Sequence, residues 1–282
     1  MLKLIADLKP RNHKFNDVLK MRKRILVKRD VGGLGDIFMH RMMFEDFKLL
    51  MPDCHITFAV PQNYFQAVWD HPFVDEVVDC KQVDERDWLV HYNTSNACIK
   101  YEMGKAPYVD KHRADIWAAQ CGVTLTRHSM NVVFSESEND WANKMMGRIN
   151  PEGKPTVLLA PITNMTSKNL MPDQIMPVYH ELTRRGYYVF ALHNAHMEDY
   201  ELPVLTGTNL RHFMAIINKS DYVIAGDTAA FHFAGGIGKP TVVVSGWADA
   251  KVMGQYYPRL SMVQKHRDDD PEWTCGPCHN FI

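Results

Sequence analysis

Short apolar runs separated by polar turns dominate the first half of the chain, and each run has the length of a β-strand. They lie at 24–28, 56–60, 76–78 and 88–92. Between them, a longer stretch at about 37–50 has helical periodicity, and residues 64–69 predict a shorter helix. Strands that alternate with helices in this way are typical of parallel βαβ units.

A second series of the same kind follows residues 150–155, Asn-Pro-Glu-Gly-Lys-Pro, which form the best linker candidate. Its predicted strands are 156–160, 187–192, 222–225 and 240–244. Its predicted helices are 172–185, closed by Gly186, then 210–218 and 228–235. We therefore predict an α/β protein of two Rossmann-like domains, residues 1–150 and 151–282, that face a cleft. Ligands of such sheets bind beyond the carboxyl ends of the strands.

The composition suits a protein with packed cores, since 46% of its 282 residues are apolar. The 32 Lys and Arg nearly balance the 33 Asp and Glu, but residues 1–30 alone carry a net charge of +7. A basic segment can attract an anionic partner such as DNA, lipid headgroups or a phosphorylated glycan, although a solvated Lys-rich surface has the same composition. The residues of this segment that we expect to contact such a partner are Arg22, Lys23 and Arg24.

No apolar run reaches the roughly 18 residues that a membrane helix needs, and the first residues do not resemble a secretory signal. Six cysteines are too few for a disulfide scaffold, so we expect a cytoplasmic setting. Cys275 and Cys278 form a C-x-x-C motif that is followed by His279. The two cysteines are either a reduced structural pair or, together with His279 and His266, the ligands of a zinc ion. Residues 268–270, Asp-Asp-Asp, fit a solvated loop better than a metal site.

A glycine-rich turn, Gly32-Gly33-Leu34-Gly35-Asp36, follows the first predicted strand and begins a helix. Glycines at such a turn let a ligand approach the backbone, and the amides there point at an anion. The turn is not a dinucleotide fingerprint, because Phe38 stands where the third glycine would be, and it lacks the Gly-Lys-Ser/Thr ending of a P-loop. Asp36 is either a helix-capping residue or a catalytic residue, and its position alone does not separate the two.

Two further groups of polar residues follow strands of the second half. The segment that begins at Asp227 opens a short helix in which Thr228 and His232 share one face. Amides at the helix start, a hydroxyl and an imidazole would suit a diphosphate, whereas the plain alternative is a capped helix with a buried His. Lys168 lies in the loop after the strand at 156–160 and would face the same cleft, although most loop lysines are simply exposed.

Together these segments resemble glycosyltransferase family 9, the heptosyltransferases of bacterial lipopolysaccharide synthesis. Residues 33–36, Gly-Leu-Gly-Asp, are similar to the family's N-terminal signature, and residues 52–58 and 72–78 are similar to other parts of its first half. Lys168 stands where the family has a donor-side lysine, although Leu-Met-Pro replaces the usual Trp-Pro after it. Residues 227–234 resemble the block Asp-[Ser/Thr]-Gly-x-x-His-x-Ala, with Ala229 in place of the glycine.

The resemblance implies a GT-B architecture and an inverting, metal-independent transfer from a nucleotide-diphosphate sugar, with no cofactor. Asp36 would then act as the general base on the acceptor hydroxyl. The residues that would bind the donor are Lys168, Asp227, Thr228, Ala229 and His232. With the helix-start amides, the lysine, the hydroxyl and the imidazole among them would stabilise the leaving diphosphate in place of a metal ion.

Two departures from the family bear on the acceptor. The chain is shorter than typical members in the half that would hold the acceptor, and Ala229 adds a methyl group where a phosphate oxygen would approach. The expected acceptor is anionic: a lipopolysaccharide-type glycan or, alternatively, hydroxylated bases of DNA, which the charge of residues 1–30 permits. A protein that binds a nucleotide sugar without catalysis is an alternative of another class, and the retained Asp36, Lys168 and His232 argue against it.

Overall fold

The computed structural model describes residues 23–193, 197–265 and Pro277. Its first sheet has four parallel strands in the order β3-β2-β1-β4. They are β1 (Arg24–Lys28), β2 (His55–Val60), β3 (Glu76–Asp79) and β4 (Val90–Asn93). The helices that follow β1 are α1 (Leu34–His40) and α2 (Phe44–Leu50), joined by a 3₁₀ turn at Arg41–Met43. Two more 3₁₀ segments are Gln62–Ala67 and Glu85–Asp87.

The apolar runs of the first half form strands because both faces of the sheet are covered. Ile25, Leu26 and Val27 in β1 are fully buried. The strands predicted at 24–28, 56–60 and 76–78 are confirmed to within a residue. The fourth begins at Val90 rather than at Trp88, because Trp88 ends a 3₁₀ turn and its ring lies under the Arg24 guanidinium, 4.5 Å from the ring centre.

Three helices connect the two sheets, and the hydrophobic pattern did not predict them. They are α3 (Ala97–Lys105), α4 (Arg113–Gln120) and α5 (Glu136–Ile149). The apolar stripe of α3 is weak, since its buried residues are Cys98 and Glu102. For α5 a local signal was present: Ser135 Oγ accepts a hydrogen bond from Glu138 N–H, and the Glu138 carboxylate accepts one from Ser135 N–H.

The second sheet has six parallel strands in the order β10-β9-β8-β5-β6-β7. They are β5 (Thr156–Ala160), β6 (Tyr188–Leu192), β7 (Val204–Leu205), β8 (Tyr222–Ala225), β9 (Thr241–Val244) and β10 (Leu260–Val263). Its helices are α6 (Pro172–Arg184), α7 (Leu210–Lys219), α8 (Ala229–Gly236) and α9 (Ala250–Met253), with a 3₁₀ turn at Thr166–Lys168. The predicted strands and helices of this half are confirmed to within one or two residues, while β7, α9 and β10 were not predicted.

The two sheets are joined by direct packing of α1 on α8, each of which follows a central strand of its own sheet. The rings of Phe38 and Phe233 lie 4.8 Å apart between these helices, and both side chains are fully buried. The predicted α/β fold with two parallel sheets is confirmed. The domain boundary at residue 150 stays a prediction, and α5, just before it, packs against α7 of the second half.

Across the described ranges, no helix has both the length and the apolar character needed to cross a membrane.

Candidate active site

Asp36 lies at the third position of α1, at the carboxyl edge of the first sheet, and is almost fully buried. Its Oδ2 accepts hydrogen bonds from Gly33 N–H (3.2 Å) and Arg29 Nη2 (3.0 Å). Its Oδ1 accepts a hydrogen bond from Arg113 Nη1 (3.0 Å). The hydrogen bond from Gly33 N–H is the helix-capping interaction that the sequence analysis gave as one alternative for Asp36. Two guanidinium groups on the same carboxylate are more than helix capping requires.

The charge state of Asp36 follows from this pairing. Burial by itself would raise the pKa of the carboxyl, but the charges of Arg113 and Arg29 outweigh burial and hold the pKa below its ordinary value. Asp36 is therefore ionised at neutral pH. Arg113 is held in turn by the buried Glu102, which accepts from its Nε (2.6 Å) and Nη2 (2.9 Å). The carboxylate thus belongs to a network of alternating charges.

The predicted glycines of this turn have different surroundings. Gly32 has a φ of +100°, which favours glycine, and a Cβ there would collide with Asp36 Oδ2. A Cβ on Gly35 would lie 2.7 Å from Cδ2 of His232 in the second half. A Cβ on Gly33 would find its nearest neighbour, Asn164 Nδ2, at 3.9 Å. The backbone of this turn therefore packs closely at Gly32 and Gly35 and is open at Gly33.

The predicted donor-side residues form a second network beyond the carboxyl ends of β5 and β8. Lys168 Nζ donates a hydrogen bond to Asp227 Oδ2 (2.7 Å), and His232 Nε2 lies 3.4 Å from Asp227 Oδ1. His232 Nδ1 lies 2.9 Å from the Tyr257 hydroxyl. Burial would raise the pKa of Asp227, but the hydrogen bond to His232 and the charge of Lys168 hold it well below its ordinary value. Lys168 is thus held in place by an ionised carboxylate.

Thr228 and Ala229 form the N-terminus of α8 at the same place. Thr228 is the N-cap, and its Oγ1 accepts a hydrogen bond from Phe231 N–H (3.3 Å). Ala229 is the first residue of the helix and is half-buried. The N–H groups of the first turn of a helix have no acceptor within the helix and carry the positive end of its dipole. This arrangement can bind an anion beside Lys168.

The two predicted basic residues that the structure describes, Lys23 and Arg24, do not lie near these networks. Lys23 and Arg24 are at the start of β1, whereas Asp36 follows the end of that strand, so they occupy the opposite edge of the sheet. Lys23 Nζ lies 3.2 Å from Asp53 Oδ2, an ion pair on the surface. Arg22 lies outside the described residues, as does the rest of the basic segment before it. The structure therefore does not bring Lys23 or Arg24 together with the candidate base.

Three residues of the site were missed by the sequence analysis: Arg29, Arg113 and Tyr257. Arg29 directly follows β1, so its position at the carboxyl edge of the sheet could have been predicted from the sequence. Arg113 is 77 residues from Asp36, and Tyr257 is 25 residues from His232. No periodicity or spacing in the sequence links those pairs.

Comparison with known proteins adds a family match. The model of glycosyltransferase family 9 (heptosyltransferase) matches residues 189–276. The matched range begins in β6 and contains Asp227, Thr228, Ala229 and His232, but neither Asp36 nor Lys168. Comparison with curated protein sequences finds no match.

Solved structures are similar over most of the chain. A glycosyltransferase of family 9 from Veillonella parvula DSM 2008 superposes with a TM-score of 0.69 and 17% identity, covering 88% of this chain and 87% of that one. The ADP-heptose LPS heptosyltransferase II of E. coli gives a TM-score of 0.65 and 14% identity, covering 85% and 90%. At such identities the likeness shows the fold, and little of either relative's length lacks a counterpart here.

The two parallel sheets with a candidate site where they meet define the class of this protein as a GT-B-type fold. Within that class, the resemblance to glycosyltransferase family 9 is confirmed by the family model and by the fold of the similar structures.

Potential metal ligands do not cluster in the described part of the chain. No group of three or more His, Cys, Asp or Glu residues there is placed to hold a metal ion. A third similar structure, the E. coli heptosyltransferase TibC in complex with ADP-D-β-D-heptose, is iron-containing (TM-score 0.60, 15% identity, covering 84% of this chain and 61% of that one). Cys275, Cys278 and residues 268–270 lie outside the described residues, so their interpretations stay predictions.

Proposed function

We propose that this protein is an inverting, metal-independent glycosyltransferase that moves a sugar from a nucleotide-diphosphate donor to an acceptor hydroxyl, as a heptosyltransferase does. The proposal is supported above all by the contact of Gly35 with His232, which brings the base candidate, one residue away, against the network of Lys168 and Asp227. A single displacement at an anomeric carbon needs a base and a leaving-group site that adjoin.

The donor diphosphate would bind at the N-terminus of α8. There the Thr228 hydroxyl accepts from Phe231 N–H with an oxygen lone pair, so its own proton can be donated to a phosphate oxygen. The ammonium of Lys168 would be shared between Asp227 and the diphosphate. These groups would stabilise the charge that develops on the leaving diphosphate, the role that a divalent metal has in other enzymes.

The nucleoside of the donor would occupy a cavity of about 290 Å³ between the two halves. Its walls include the apolar side chains of Leu34, Leu192, Leu210 and Phe213. It lies beyond the ends of β6 and β7, and β6 is the neighbour of β5, which leads to Lys168. A flat base suits apolar walls of this kind. The names of the similar heptosyltransferases contain ADP-heptose, so an ADP-sugar is the first donor to test.

Asp36 would accept the proton of the acceptor hydroxyl as its oxygen attacks the anomeric carbon opposite the diphosphate. The ionised carboxylate is the form that can accept this proton. Because Arg113 and Arg29 lower its basicity, proton transfer would come late, when the new glycosidic bond has made the hydroxyl proton acidic. The first half of the chain would hold the acceptor and the second half the donor, which is the predicted division at residues 150 and 151.

The test is a screen of nucleotide sugars for donor hydrolysis and transfer, with lipopolysaccharide and hydroxymethylated DNA as acceptors. We expect Lys168→Met to lose about 10- to 100-fold in affinity for the nucleotide, the value of a charged hydrogen bond. Lys154→Met, a surface lysine paired with Glu152, is the matched control and should bind as the wild type does. Binding without transfer to any acceptor would favour the non-catalytic alternative.

The same assay tests the finer expectations. Transfer to lipopolysaccharide or to DNA, identified by mass spectrometry, decides between the two anionic acceptors. A chelator in excess should leave the rate unchanged within about twofold, whereas a catalytic metal would contribute several kcal/mol. A cytoplasmic setting stays part of the proposal and is tested by fractionation of cells that express the protein.

A further inference from the structure

A second cavity, of about 270 Å³, lies at the carboxyl edge of the first sheet, next to the ends of β1 and β4. Apart from Ala97, the residues that line it are polar: Asp30, Asn93, Ser95, Asn96, Lys100 and Gln120. None of their side chains is hydrogen-bonded to Asp36 or to the predicted donor-side residues. The cavity therefore needs an explanation of its own.

Some of the lining groups hold one another in place. The Ser95 hydroxyl donates to Asp30 Oδ1 and accepts from Asp30 N–H (3.1 Å). Both polar atoms of the Asn93 side chain are bonded, since its Nδ2 donates to Glu85 Oε1 (2.9 Å) and its Oδ1 accepts from Ser95 N–H (3.1 Å). Gln120 Nε2 donates to Asn93 O (2.7 Å). These bonds make one wall of the cavity rigid before any ligand enters.

Other lining groups remain available for a ligand. Asn96 begins α3 without using its side chain as a cap, and its amide, like the Lys100 ammonium one turn later, has no hydrogen bond to another described residue. Asp30 and Gln120, like Asn96 and Lys100, are exposed to solvent, and Asp30 Oδ2 and Gln120 Oε1 have no donor among the described residues. The available set thus has donors and acceptors, with one negative and one positive charge.

This mixture selects a class of ligand. A phosphate presents acceptors and a negative charge, which the Asp30 carboxylate would repel. A ring with several hydroxyl groups both donates and accepts at each position and needs no net charge. We propose that this cavity binds a neutral hydroxylated ring, a sugar residue of the acceptor. The inference rests on the proposed function, since it names where that acceptor binds.

The position of the cavity agrees with such a role. Arg29 Nη1 donates to the carbonyl groups of Thr94 (3.0 Å) and Ser95 (3.1 Å), and its Nη2 donates to Asp36 Oδ2 (3.0 Å). One buried guanidinium therefore separates the backbone of the cavity wall from the base candidate. A sugar in the cavity would lie on the same sheet edge as Asp36.

The experiment measures saturation-transfer NMR of methyl glycosides of glucose, galactose, mannose and heptose with the full chain, without donor. At least one glycoside should bind, and the double variant Asn96→Ala/Lys100→Ala should weaken it by roughly three- to tenfold, the loss of one or two hydrogen bonds. Lys105→Ala, also on α3 but paired with Asp110, is the control and should bind as the wild type does. Thermal unfolding checks that each variant is folded.

The inference is overturned if no glycoside binds, or if the double variant binds the glycoside as well as the control does. It is also overturned if inorganic phosphate binds instead and Lys100→Ala abolishes that binding. Donor hydrolysis and sugar transfer by the wild type are measured separately. The absence of both would contradict the proposed function, whereas glycoside binding tests the cavity alone.

Discussion

The imidazole of His232 lies directly against the backbone of Gly35, so that a Cβ on this glycine would be 2.7 Å from His232 Cδ2. His232 has little room to move aside, because it is buried and its Nδ1 lies 2.9 Å from the Tyr257 hydroxyl. The helix that carries Asp36 and the helix that begins at the proposed donor site therefore meet at a residue without a side chain. Their separation depends on that glycine.

We therefore expect Gly35→Ala to destabilise the protein by about 1–3 kcal/mol, the usual cost of overpacking a buried contact. It should also weaken nucleotide binding, because the displaced imidazole belongs to the network of Asp227. Gly33→Ala is the control, since its Cβ would have only Asn164 Nδ2 at 3.9 Å. Chemical unfolding and calorimetric titration with ADP measure both effects. Equal behaviour of the two variants would mean that the halves separate easily at this contact.

Asp36→Asn keeps the shape of the side chain but removes the proton acceptor. We expect sugar transfer to fall by roughly 10²–10⁴-fold while nucleotide affinity changes little, because the proposed donor contacts lie in the other half. Asp46→Asn, another buried carboxylate, which accepts hydrogen bonds from Thr126 and Arg127, is the control for loss of a buried charge. If Asp36→Asn turns over at nearly the normal rate, Asp36 is not the general base and serves only to cap the helix.

The pH profile of kcat/KM tests the role of Arg113. Its charge lowers the pKa of the Asp36 carboxyl, so the acid limb of the profile should lie below the ordinary range of an aspartate. Arg113→Met removes that charge, and the limb should move to higher pH. Arg113→Lys keeps the charge and should move it less. Because Arg113→Met leaves Glu102 buried without its partner, unfolding is measured alongside. If the acid limb stays at the same pH in both variants, it reports the ionisation of a group other than Asp36.

Buried histidines should make the protein sensitive to acid. Burial, followed by the charge of Arg41, lowers the pKa of His71 to about 3. The neutral ring accepts from Phe73 N–H at Nδ1 (3.2 Å), and its Nε2 donates to Arg41 O (2.9 Å). The unfolded chain binds this proton near pH 6.5, so the contribution of His71 is complete above that pH and is lost as the pH falls towards 3.

His71→Gln should therefore reduce the slope of the unfolding free energy against pH in this window. The reduction is at most about 1.4 kcal/mol per pH unit, the value for one proton. Urea unfolding between pH 7.5 and pH 5 gives the slope. His91→Gln, on the exposed side of β4, is the matched control and should leave the slope unchanged. Identical slopes for the wild type and both variants would show that His71 does not stay neutral in the folded protein.

Arg211 on α7 links three parts of the chain. Its Nε donates to Glu138 on α5 (2.6 Å), and its Nη1 lies 2.9 Å from Asp70, which also pairs with the buried Arg41. Arg211→Met should lower the free energy of unfolding by up to about 3–5 kcal/mol. We expect a loss near the lower value, because Asp70 remains paired with Arg41. Arg184→Met, which breaks an exposed pair with Glu181, should leave the midpoint of unfolding unchanged. A small effect of Arg211→Met would show that the cluster does not hold the halves together.

Most of the regular elements follow from short-range patterns in the sequence. They include every strand except β7 and β10, helix α6 with its stop at Gly186, and helix α8 with its cap at Thr228, because burial on both faces and helix capping act between residues close in the chain. The glycine turn before Asp36 and the segment at Asp227 were found for the same reason. Their resemblance to the family predicts a base and a donor site.

How those residues interact depends on the tertiary structure. That Asp36 is ionised between Arg29 and Arg113, rather than simply a cap, depends on an arginine 77 residues away, in a helix that the hydrophobic pattern did not predict. That Gly35 must lack a side chain depends on His232, in the other half of the chain. Local patterns report which face of an element is buried, but not which element covers it. The pairing of distant charged groups is set by the packing of the whole chain.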